Sequence, residues 1–158
     1  MSDSKNKWKG PQPAPRYLGR LLRANFPQIS ETGIYNDRNV AGTSKKSSHA
    51  EGRALDIHLS AKDPDQKSLG DQLFRTIVSR ARSIGVDNVI WNRQIWSVKH
   101  PRPRAYHGLN SHTDHLHVEF TRQGSQFSQQ RMLNAILIDV GIIRTGIEDL
   151  QKKLGHLA

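Results

Sequence analysis

The chain has 158 residues, of which 35% are hydrophobic, and a net charge of +10 from 24 Lys and Arg against 14 Asp and Glu. This length fits one domain with one core, and the charge predicts a polyanionic partner such as nucleic acid, a cell-wall polymer or anionic lipid. The absence of cysteine excludes disulfide frameworks, thiolate nucleophiles and sulfur-ligated zinc, and no apolar stretch is long enough to span a membrane.

Three parts of the chain differ in composition. Residues 1–13 are predicted to form a flexible basic arm, because their polar and basic residues are interrupted by Pro11 and Pro13. Residues 14–125 carry the helix and strand patterns of one domain, and residues 128–156 are predicted to form a C-terminal amphipathic helix. The basic start has no apolar run behind it, so we expect no cleavable signal peptide.

The first half of the main domain is predicted to contain a helix, a strand and a long loop. Apolar residues recur at helical spacing over residues 17–26, and Pro27 ends the pattern. Residues 33–35, Gly-Ile-Tyr, favour a strand. Residues 36–48 are polar and rich in turn formers, which is typical of a loop that carries functional side chains.

The second half is predicted to contain a longer helix and three strands. Residues 69–84 place apolar side chains on one helix face, and Gly85 is the predicted C-cap. Residues 88–98 form two apolar runs around a central Asn-Arg pair, the pattern of two strands joined by a tight turn. Residues 115–120 alternate as a final strand. Together these elements predict an α+β fold.

The stretch SSHAEGRALDIHLS combines two potential metal ligands with two small residues. His49 and Asp56 are separated by Gly52, which permits a close turn, and by Ala54, which leaves room beside Asp56. The alternating run predicts a strand on which Asp56 and His58 share a face. An ordinary strand after a glycine bend explains the apolar residues of this stretch but gives no reason for its His and Asp.

A second group of histidines lies in SHTDHLHVEF. His115 and His117 are two residues apart and therefore project from the same face of the predicted strand, with His112 in the loop before it. Neutral imidazole and carboxylate are ligands that zinc takes, and a catalytic zinc site uses three protein ligands and leaves a fourth position for water. His49, Asp56 and His117 would supply such a set.

Both segments resemble motifs of one peptidase superfamily. The stretch SSHAEGRALD fits the pattern S-x-H-x-x-G-x-A-x-D of zinc peptidases that include D-alanyl-D-alanine carboxypeptidases and phage endolysin peptidases, with the Hedgehog signalling domain as a structural relative. The stretch HTDHLH resembles the corresponding segment of penicillin-insensitive murein endopeptidases. The resemblance covers roughly residues 30–122. The residues that match the first pattern are Ser47, His49, Gly52, Ala54 and Asp56.

This resemblance implies a fold, a cofactor and an activity. The implied fold is a Hedgehog/D,D-peptidase-like antiparallel sheet with flanking helices, to which the C-terminal helix is appended. The implied cofactor is one zinc ion held by His49, Asp56 and His117. The implied activity is that of a bacteriolytic hydrolase, a lysin or an antibacterial toxin effector, that cleaves a stem-peptide or cross-link bond of peptidoglycan.

Two residues are candidates for the general base. His115 matches the family histidine that sits beside the metal-bound water and is the first choice. Asp114 is the competitor, because some superfamily members place an acid three residues before the last ligand, and Asp114 has that spacing from His117. His112 would orient the water or the base.

Substrate contacts are assigned from motif position and charge. Ser47 opens the first motif and is a candidate for substrate binding. Arg93, Arg102 and Arg104 are candidates by position, because arginines bind the carboxylates of stem peptides. A protein of this kind without a signal peptide would be made in the cytoplasm and delivered to the cell envelope or a target cell by phage lysis or a secretion system.

The positive charge also supports a different enzyme class. A basic protein with a His/Asp site could be a nuclease toxin that uses magnesium or calcium, with residues 99–104, KHPRPR, holding DNA. The two histidines of the ligand set favour zinc over magnesium, which prefers oxygen ligands. A third reading is a binding module that retains a structural metal, as in Hedgehog.

The C-terminal helix has a regular apolar seam. Seven apolar residues between Leu133 and Leu154 are spaced alternately by three and four, which is the heptad pattern of helices that pack along their length. The seam predicts either a helix folded back on the domain core or a contact with a second copy, a delivery or immunity partner, or a membrane. Gly141 and Gly146 weaken an isolated helix by about 1 kcal/mol each, so some packing surface is required.

Overall fold

The computed structural model describes residues 8–156 as a six-stranded antiparallel sheet with three α-helices. The predicted mixture of helices with an antiparallel sheet, including the C-terminal helix, is therefore confirmed. None of the described helices is apolar over a long enough stretch to cross a bilayer. In chain order the elements are α1 (Pro13–Asn25), β1 (Thr32–Gly33), β2 (Ala54–His58), α2 (Pro64–Ile84), β3 (Val86–Trp91), β4 (Gln94–Ser97), β5 (His100–Ala105), β6 (His115–Phe120), a short 3-10 helix (Gly124–Gln126) and α3 (Gln129–Gly155).

The sheet has the strand order β1-β2-β6-β3-β4-β5. The neighbouring strands β2 and β6 carry apolar residues on one face and polar residues on the other, because side chains alternate along a strand. Leu55 and Val118 are directly paired and fully buried, whereas the neighbouring pair of Asp56 and His117 lies on the opposite face. The sheet therefore has an apolar face that packs on helices and a polar face that carries the candidate ligands.

Helices α1 and α2 cover the apolar face at positions where glycine allows close approach. A Cβ atom at Gly19 would lie 3.1 Å from Leu55 of β2, and one at Gly70 would lie 2.3 Å from the ring of Trp91 on β3. The indole N–H of Trp91 donates to Asp71 of α2 at 2.9 Å, so this buried ring keeps its hydrogen bond. The helix layer leaves the polar face of the sheet open.

The first half of α3 packs against the domain. Its buried residues contact the shared core with α1 and α2, and Arg80 of α2 holds Asp139 through two hydrogen bonds of 2.8 and 3.2 Å. Leu150 and Leu154 of the predicted seam are each 58% exposed. The helix therefore follows the predicted fold-back on the core as far as Ile147, and its last turns are exposed. The buried residues of α3 are Met132, Ile136, Val140 and Ile143.

Several local predictions are confirmed and two differ. Gly85 ends α2 in the left-handed conformation with φ 77°, and the Asn-Arg pair forms the tight turn between β3 and β4. Strand β1 is shorter than predicted and shifted, with only two residues. Strand β5 was not predicted, because its sequence HPRPRA has no apolar alternation and all six residues are exposed.

The predicted basic arm lies partly outside the described residues. Residues 1–7 are outside them, whereas residues 8–12 pack against the domain. The N–H of Gln12 donates to the carbonyl of Gly52 at 2.9 Å, and the guanidinium of Arg122 lies 5.6 Å from the ring centre of Trp8. The last residues of the arm therefore hold the turn that precedes β2.

Candidate metal centre

Three predicted ligands meet on the open face of the sheet. Asp56 of β2 and His117 of β6 are directly paired across the antiparallel ladder, and His49 reaches them from the loop before β2. His49 Nε2 lies 3.1 Å from Asp56 Oδ2, and His117 Nδ1 lies 2.8 Å from Asp56 Oδ1. One donor atom from each residue falls within 4.8 Å of the other two, so the group is able to hold a metal ion.

The orientation of His49 is fixed by its other ring nitrogen. Its Nδ1–H donates to the carbonyl of Ile34 at 2.8 Å, because a carbonyl oxygen can only accept. The lone pair is therefore on Nε2, which faces Asp56 and lies 3.3 Å from His117 Nδ1. A backbone partner that selects the tautomer is typical of a metal-ligating histidine.

A tight turn presents His49 to the cluster. The hydroxyl of Ser47 accepts from the N–H of Ala50 at 3.3 Å, and Gly52 then adopts φ 66°. A Cβ atom at Gly52 would lie 1.8 Å from the carbonyl oxygen of Gly10. Glycine is therefore required here both for the left-handed backbone and for the approach of the preceding segment.

The charges of Asp56 and His117 support one another. Burial opposes ionisation of Asp56, but its interactions with the rings of His117 and His49 outweigh it and hold the pKa of this carboxyl well below its usual range. Burial likewise disfavours the charged ring of His117, but its hydrogen bond to Asp56 and the nearby carboxylate of Glu119 outweigh it and raise the pKa of His117 to about 9. The cluster is thus built to hold a positive charge between these groups.

A chain of ion pairs supports the cluster from the side. Arg53 donates to Glu51 and Glu119, and Arg122 donates to the other oxygen of Glu51. Glu119 Oε2 lies 4.0 Å from His117 Nε2, the ring edge that faces away from Asp56. Burial opposes ionisation of Glu119, but the nearby ring of His117 and the hydrogen bond from Arg53 lower its pKa to about 2. A permanent carboxylate therefore lies behind His117.

Neither Arg53 nor the contact between Glu119 and Arg53 is indicated by a motif in the sequence. The two residues are 66 positions apart, and their contact depends on the pairing of β2 with β6. The only available signal is the alternation of β6, which places Glu119 on the same face as His117. Arg53 precedes its strand and has no such pattern.

His115 and Asp114 form a hydrogen-bonded pair beside the cluster. The Nδ1–H of His115 donates to Asp114 Oδ1 at 2.7 Å, and the opposite nitrogen, Nε2, lies 3.7 Å from Asp56 Oδ1. The side chain of His115 is 11% exposed, whereas that of Asp114 is 79% exposed. Burial opposes ionisation of Asp114, but the hydrogen bond and charge interaction with His115, together with a backbone hydrogen bond, outweigh it and lower the pKa of Asp114 below its usual value.

His112 occupies a strained backbone position next to these rings. It has φ 51°, its ring centre lies 4.7 Å from that of His115, and its Nδ1–H donates to the carbonyl of Asn110 at 2.7 Å. Burial and the neighbouring rings of His117 and His115 lower the pKa of His112 to about 4. His112 is therefore neutral near pH 7, with an accepting lone pair on Nε2.

A cleft of about 410 Å³ opens onto these groups. Ser47 lines it, as do the exposed cations Arg38 and Lys45, neither of which pairs with a carboxylate among residues 8–156. The three arginines predicted from the sequence to bind substrate lie elsewhere. Arg93 is in the turn after β3, and Arg102 and Arg104 are on β5. None of the three is among the residues that line the cleft.

Comparison with known proteins gives one family match. The model of the VldE C-terminal domain family matches residues 7–117, which is more than half of the chain and includes all three candidate ligands, His49, Asp56 and His117. No curated protein and no solved structure matches the chain. The helix α3 lies beyond the matched region. The chain belongs to the VldE C-terminal domain family.

Proposed function

We propose that this protein is a zinc-dependent peptidase that hydrolyses a peptide bond of peptidoglycan. The observation that carries the proposal is the position of His115 Nε2, 3.7 Å from Asp56 Oδ1, beside a His/His/Asp group that is able to hold a metal. A potential base and a potential metal site thus share one cleft. This combination of groups is the one that metal-assisted hydrolysis requires.

The donor set favours zinc. Two imidazole nitrogens and one carboxylate oxygen are presented by His49, His117 and Asp56, whereas magnesium and calcium prefer sites made of oxygen ligands. The Ile34 carbonyl behind His49 and the Glu119 carboxylate behind His117 are partners of the kind that orient zinc ligands. When bound, zinc supplies a water of lowered pKa and polarises a carbonyl group.

In this proposal the protein groups beside the ligands handle the proton. His115 carries an accepting lone pair on Nε2 because its Nδ1–H is held by Asp114, so Nε2 receives the proton of the attacking water and later gives it to the leaving amine. Asp114 orients this ring and stabilises its protonated form. Its lowered pKa makes Asp114 itself a poor base near neutral pH.

His112 has a different task. Its only lone-pair nitrogen, Nε2, accepts but does not donate, because Nδ1–H is engaged by Asn110 and the ring stays neutral with a pKa of about 4. We assign to it the acceptance of a hydrogen bond from the attacking water or from a substrate amide. Ser47, Arg38 and Lys45 line the same cleft and offer donors to peptide carbonyls and carboxylates.

The superfamily assignment belongs to the same proposal. The motifs around His49 and His117 resemble those of D,D-peptidases, and the pairing of β2 with β6 lays the two motifs side by side in an antiparallel sheet. This arrangement supports a Hedgehog/D,D-peptidase-like fold. A phage lysin or a secreted antibacterial effector is the biological context that fits a basic wall hydrolase of this size.

The nuclease alternative has one observation in its favour. The free cations in the cleft, Arg38 and Lys45, would suit a phosphodiester as well as a carboxylate. In that case magnesium or calcium would support the reaction. The ligand nitrogens of His49 and His117 argue for the peptidase.

One experiment separates these functions. Purified protein is incubated with murein sacculi and, separately, with plasmid DNA, with added zinc, magnesium or calcium and with chelator. We expect soluble muropeptides in the presence of zinc, none with chelator or with His49→Ala, and full activity in the control variant His156→Ala, which replaces an exposed histidine at the end of α3. Plasmid cleavage that needs magnesium and His49, with intact sacculi under every metal, would replace the peptidase by the nuclease.

A further inference from the structure

The hairpin formed by β4 and β5 is a strongly basic part of the molecule that the hydrolytic site does not use. Between Asp87 and Asp114 the chain contains no acidic residue. The basic residues of the hairpin are Lys99, His100, Arg102 and Arg104, and all four are exposed. Among residues 8–156 none of them has a carboxylate within ion-pairing distance. We call these four residues the basic edge.

The basic edge lies on the same face of the sheet as the candidate metal centre. His117 is paired with Ile90, Ile90 with Ile95, and Ile95 with Arg104. Residues directly opposite one another in an antiparallel sheet project from the same face, so Arg104 and His117 both point to the open side. Three inter-strand steps of about 4.8 Å separate them by roughly 14 Å.

The form of the edge favours a side-chain contact with an extended ligand. Strand β5 spans roughly 20 Å, and its cations follow one another along that length. Pro101 and Pro103 have no N–H, so the outer edge of β5 is a poor template for an added strand. Recognition at this edge therefore depends on the charges and not on strand pairing.

The chemistry of the edge favours a polyanion without bases. Single-stranded nucleic acids are normally bound by grooves in which aromatic rings stack on the bases. In the hairpin, residues 94–105, the single aromatic residue is Trp96, which is 6% exposed and faces the helix layer. The cations are present, but the stacking surface is absent from this described segment.

From these observations, and resting on the proposed function, we propose that the basic edge binds an anionic phosphodiester polymer of the cell wall. The polymer would lie along β5 while the peptide to be cleaved occupies the cleft roughly 14 Å away. Charge complementarity favours this occupant, since four basic residues within positions 99–104, none of them paired with a carboxylate among residues 8–156, would meet a chain of regularly spaced phosphates. The edge holds the enzyme on its substrate layer and takes no part in hydrolysis.

The test measures binding separately from cleavage. Zinc-loaded protein is sedimented at 4 °C for a few minutes with walls that carry the phosphodiester polymer and with walls from which hydrogen fluoride has removed it. The double variant Arg102→Gln/Arg104→Gln is compared with Arg16→Gln/Arg23→Gln, which removes the same charge from exposed positions of α1. Soluble inorganic polyphosphate and plasmid DNA serve as competitors.

We expect the parent protein and the α1 variant to bind intact walls about tenfold more tightly than stripped walls, and the Arg102/Arg104 variant to lose about tenfold on intact walls. Equal binding of the two double variants, or no effect of stripping, would overturn the assignment. If plasmid DNA displaces the protein from walls at a lower phosphate concentration than polyphosphate does, the basic edge would be assigned to nucleic acid instead. If the protein releases muropeptides but its binding to walls does not depend on the basic edge, only this inference is overturned. If binding depends on the basic edge but no muropeptides are released, only the proposed peptidase function is overturned.

Discussion

Asp114 accepts the Nδ1–H of His115 at 2.7 Å, and the opposite nitrogen of the same ring lies 3.7 Å from Asp56 Oδ1. The two candidates for the general base are therefore not alternatives in space. Asp114 lies on the outer side of the ring, where it is 79% exposed, and His115 lies between it and the metal group. In the proposed hydrolysis, this order favours His115 for proton transfer and Asp114 for orientation of the ring.

The first prediction follows from that order. His115→Ala removes the accepting nitrogen and should lower kcat by about 100-fold or more while leaving zinc in place. Asp114→Asn should lower kcat by a smaller factor of about 10-fold, because the ring remains but loses its carboxylate partner. Zinc content and steady-state kinetics on a soluble stem peptide measure both effects. A larger loss for Asp114→Asn than for His115→Ala would exchange the two assignments.

The second prediction concerns metal retention. Single replacement of His49, Asp56 or His117 by alanine leaves two ligands, which is too few to hold zinc through dialysis. His58→Ala is the matched control, because His58 lies on the same strand as Asp56 but outside the ligand group. We expect about one zinc per chain in the parent and the control by elemental analysis. Full zinc in any of the three alanine variants would remove that residue from the ligand set.

The third prediction is a pH dependence of zinc affinity. In the metal-free protein the pKa of His117 is about 9, so below that pH a proton must leave its ring before zinc can bind. Protonation of His117 alone should therefore lower the zinc affinity by about tenfold per pH unit as the pH drops from 8 to 6. Competition with a chromophoric chelator at several pH values measures the slope. A pH-independent affinity would show that His117 binds no proton in the free site.

The two parts of the candidate ligand group could be predicted from the sequence because strand periodicity and motif spacing both act over short distances, whereas the meeting of the two parts requires the pairing of β2 with β6. His115 and His117 are two residues apart on a strand, so their common face follows from alternation alone. His49 and Asp56 are connected by a short turn whose glycine adopts the expected positive φ. These relations do not depend on how distant parts of the chain meet.

The supporting groups could not be predicted because they depend on tertiary pairing. The contact of Arg53 with Glu119 exists only once β2 and β6 lie side by side. Strand β5 is extended because it pairs with β4, and its own sequence contains two prolines and no apolar residue that points into the core. Its face, and hence the position of Arg104 relative to His117, follows from the register of three strand pairs.

A fourth prediction concerns the carboxylate behind His117. Glu119→Gln removes a charge that helps to raise the pKa of this ring, so the pKa of His117 should fall and the pH dependence of zinc binding should move to lower pH. Above the pKa of His117, where no proton competes, zinc affinity should drop about 10-fold because the ring becomes less basic and less firmly oriented. At lower pH the weaker proton competition should offset part of this loss, so the two pH profiles should differ in slope. The chelator competition is repeated on this variant and on Glu148→Gln, an exposed control on α3. Identical pH profiles for both variants would contradict the coupling.

The last prediction tests the turn that presents His49. Gly52 has φ 66°, and a Cβ atom at this position would lie 1.8 Å from the carbonyl oxygen of Gly10. Gly52→Ala should therefore reduce the free energy of unfolding by about 2–3 kcal/mol, since it combines an unfavourable backbone conformation with displacement of the residues before α1. Gly141→Ala is a control with the opposite expected effect on stability, because nothing lies within 4 Å of the Cβ position at Gly141 and alanine favours the helix.

We expect Gly141→Ala to raise the free energy of unfolding by about 0.5–1 kcal/mol. Urea unfolding of both variants, followed by circular dichroism with saturating zinc and with chelator, measures the two changes. If the turn positions His49, the Gly52→Ala variant should also lose more of the zinc-dependent stabilisation than Gly141→Ala does, because a displaced ligand weakens metal binding to the folded state. Equal stabilisation of both variants by zinc would mean that the turn supports the fold without positioning the ligand.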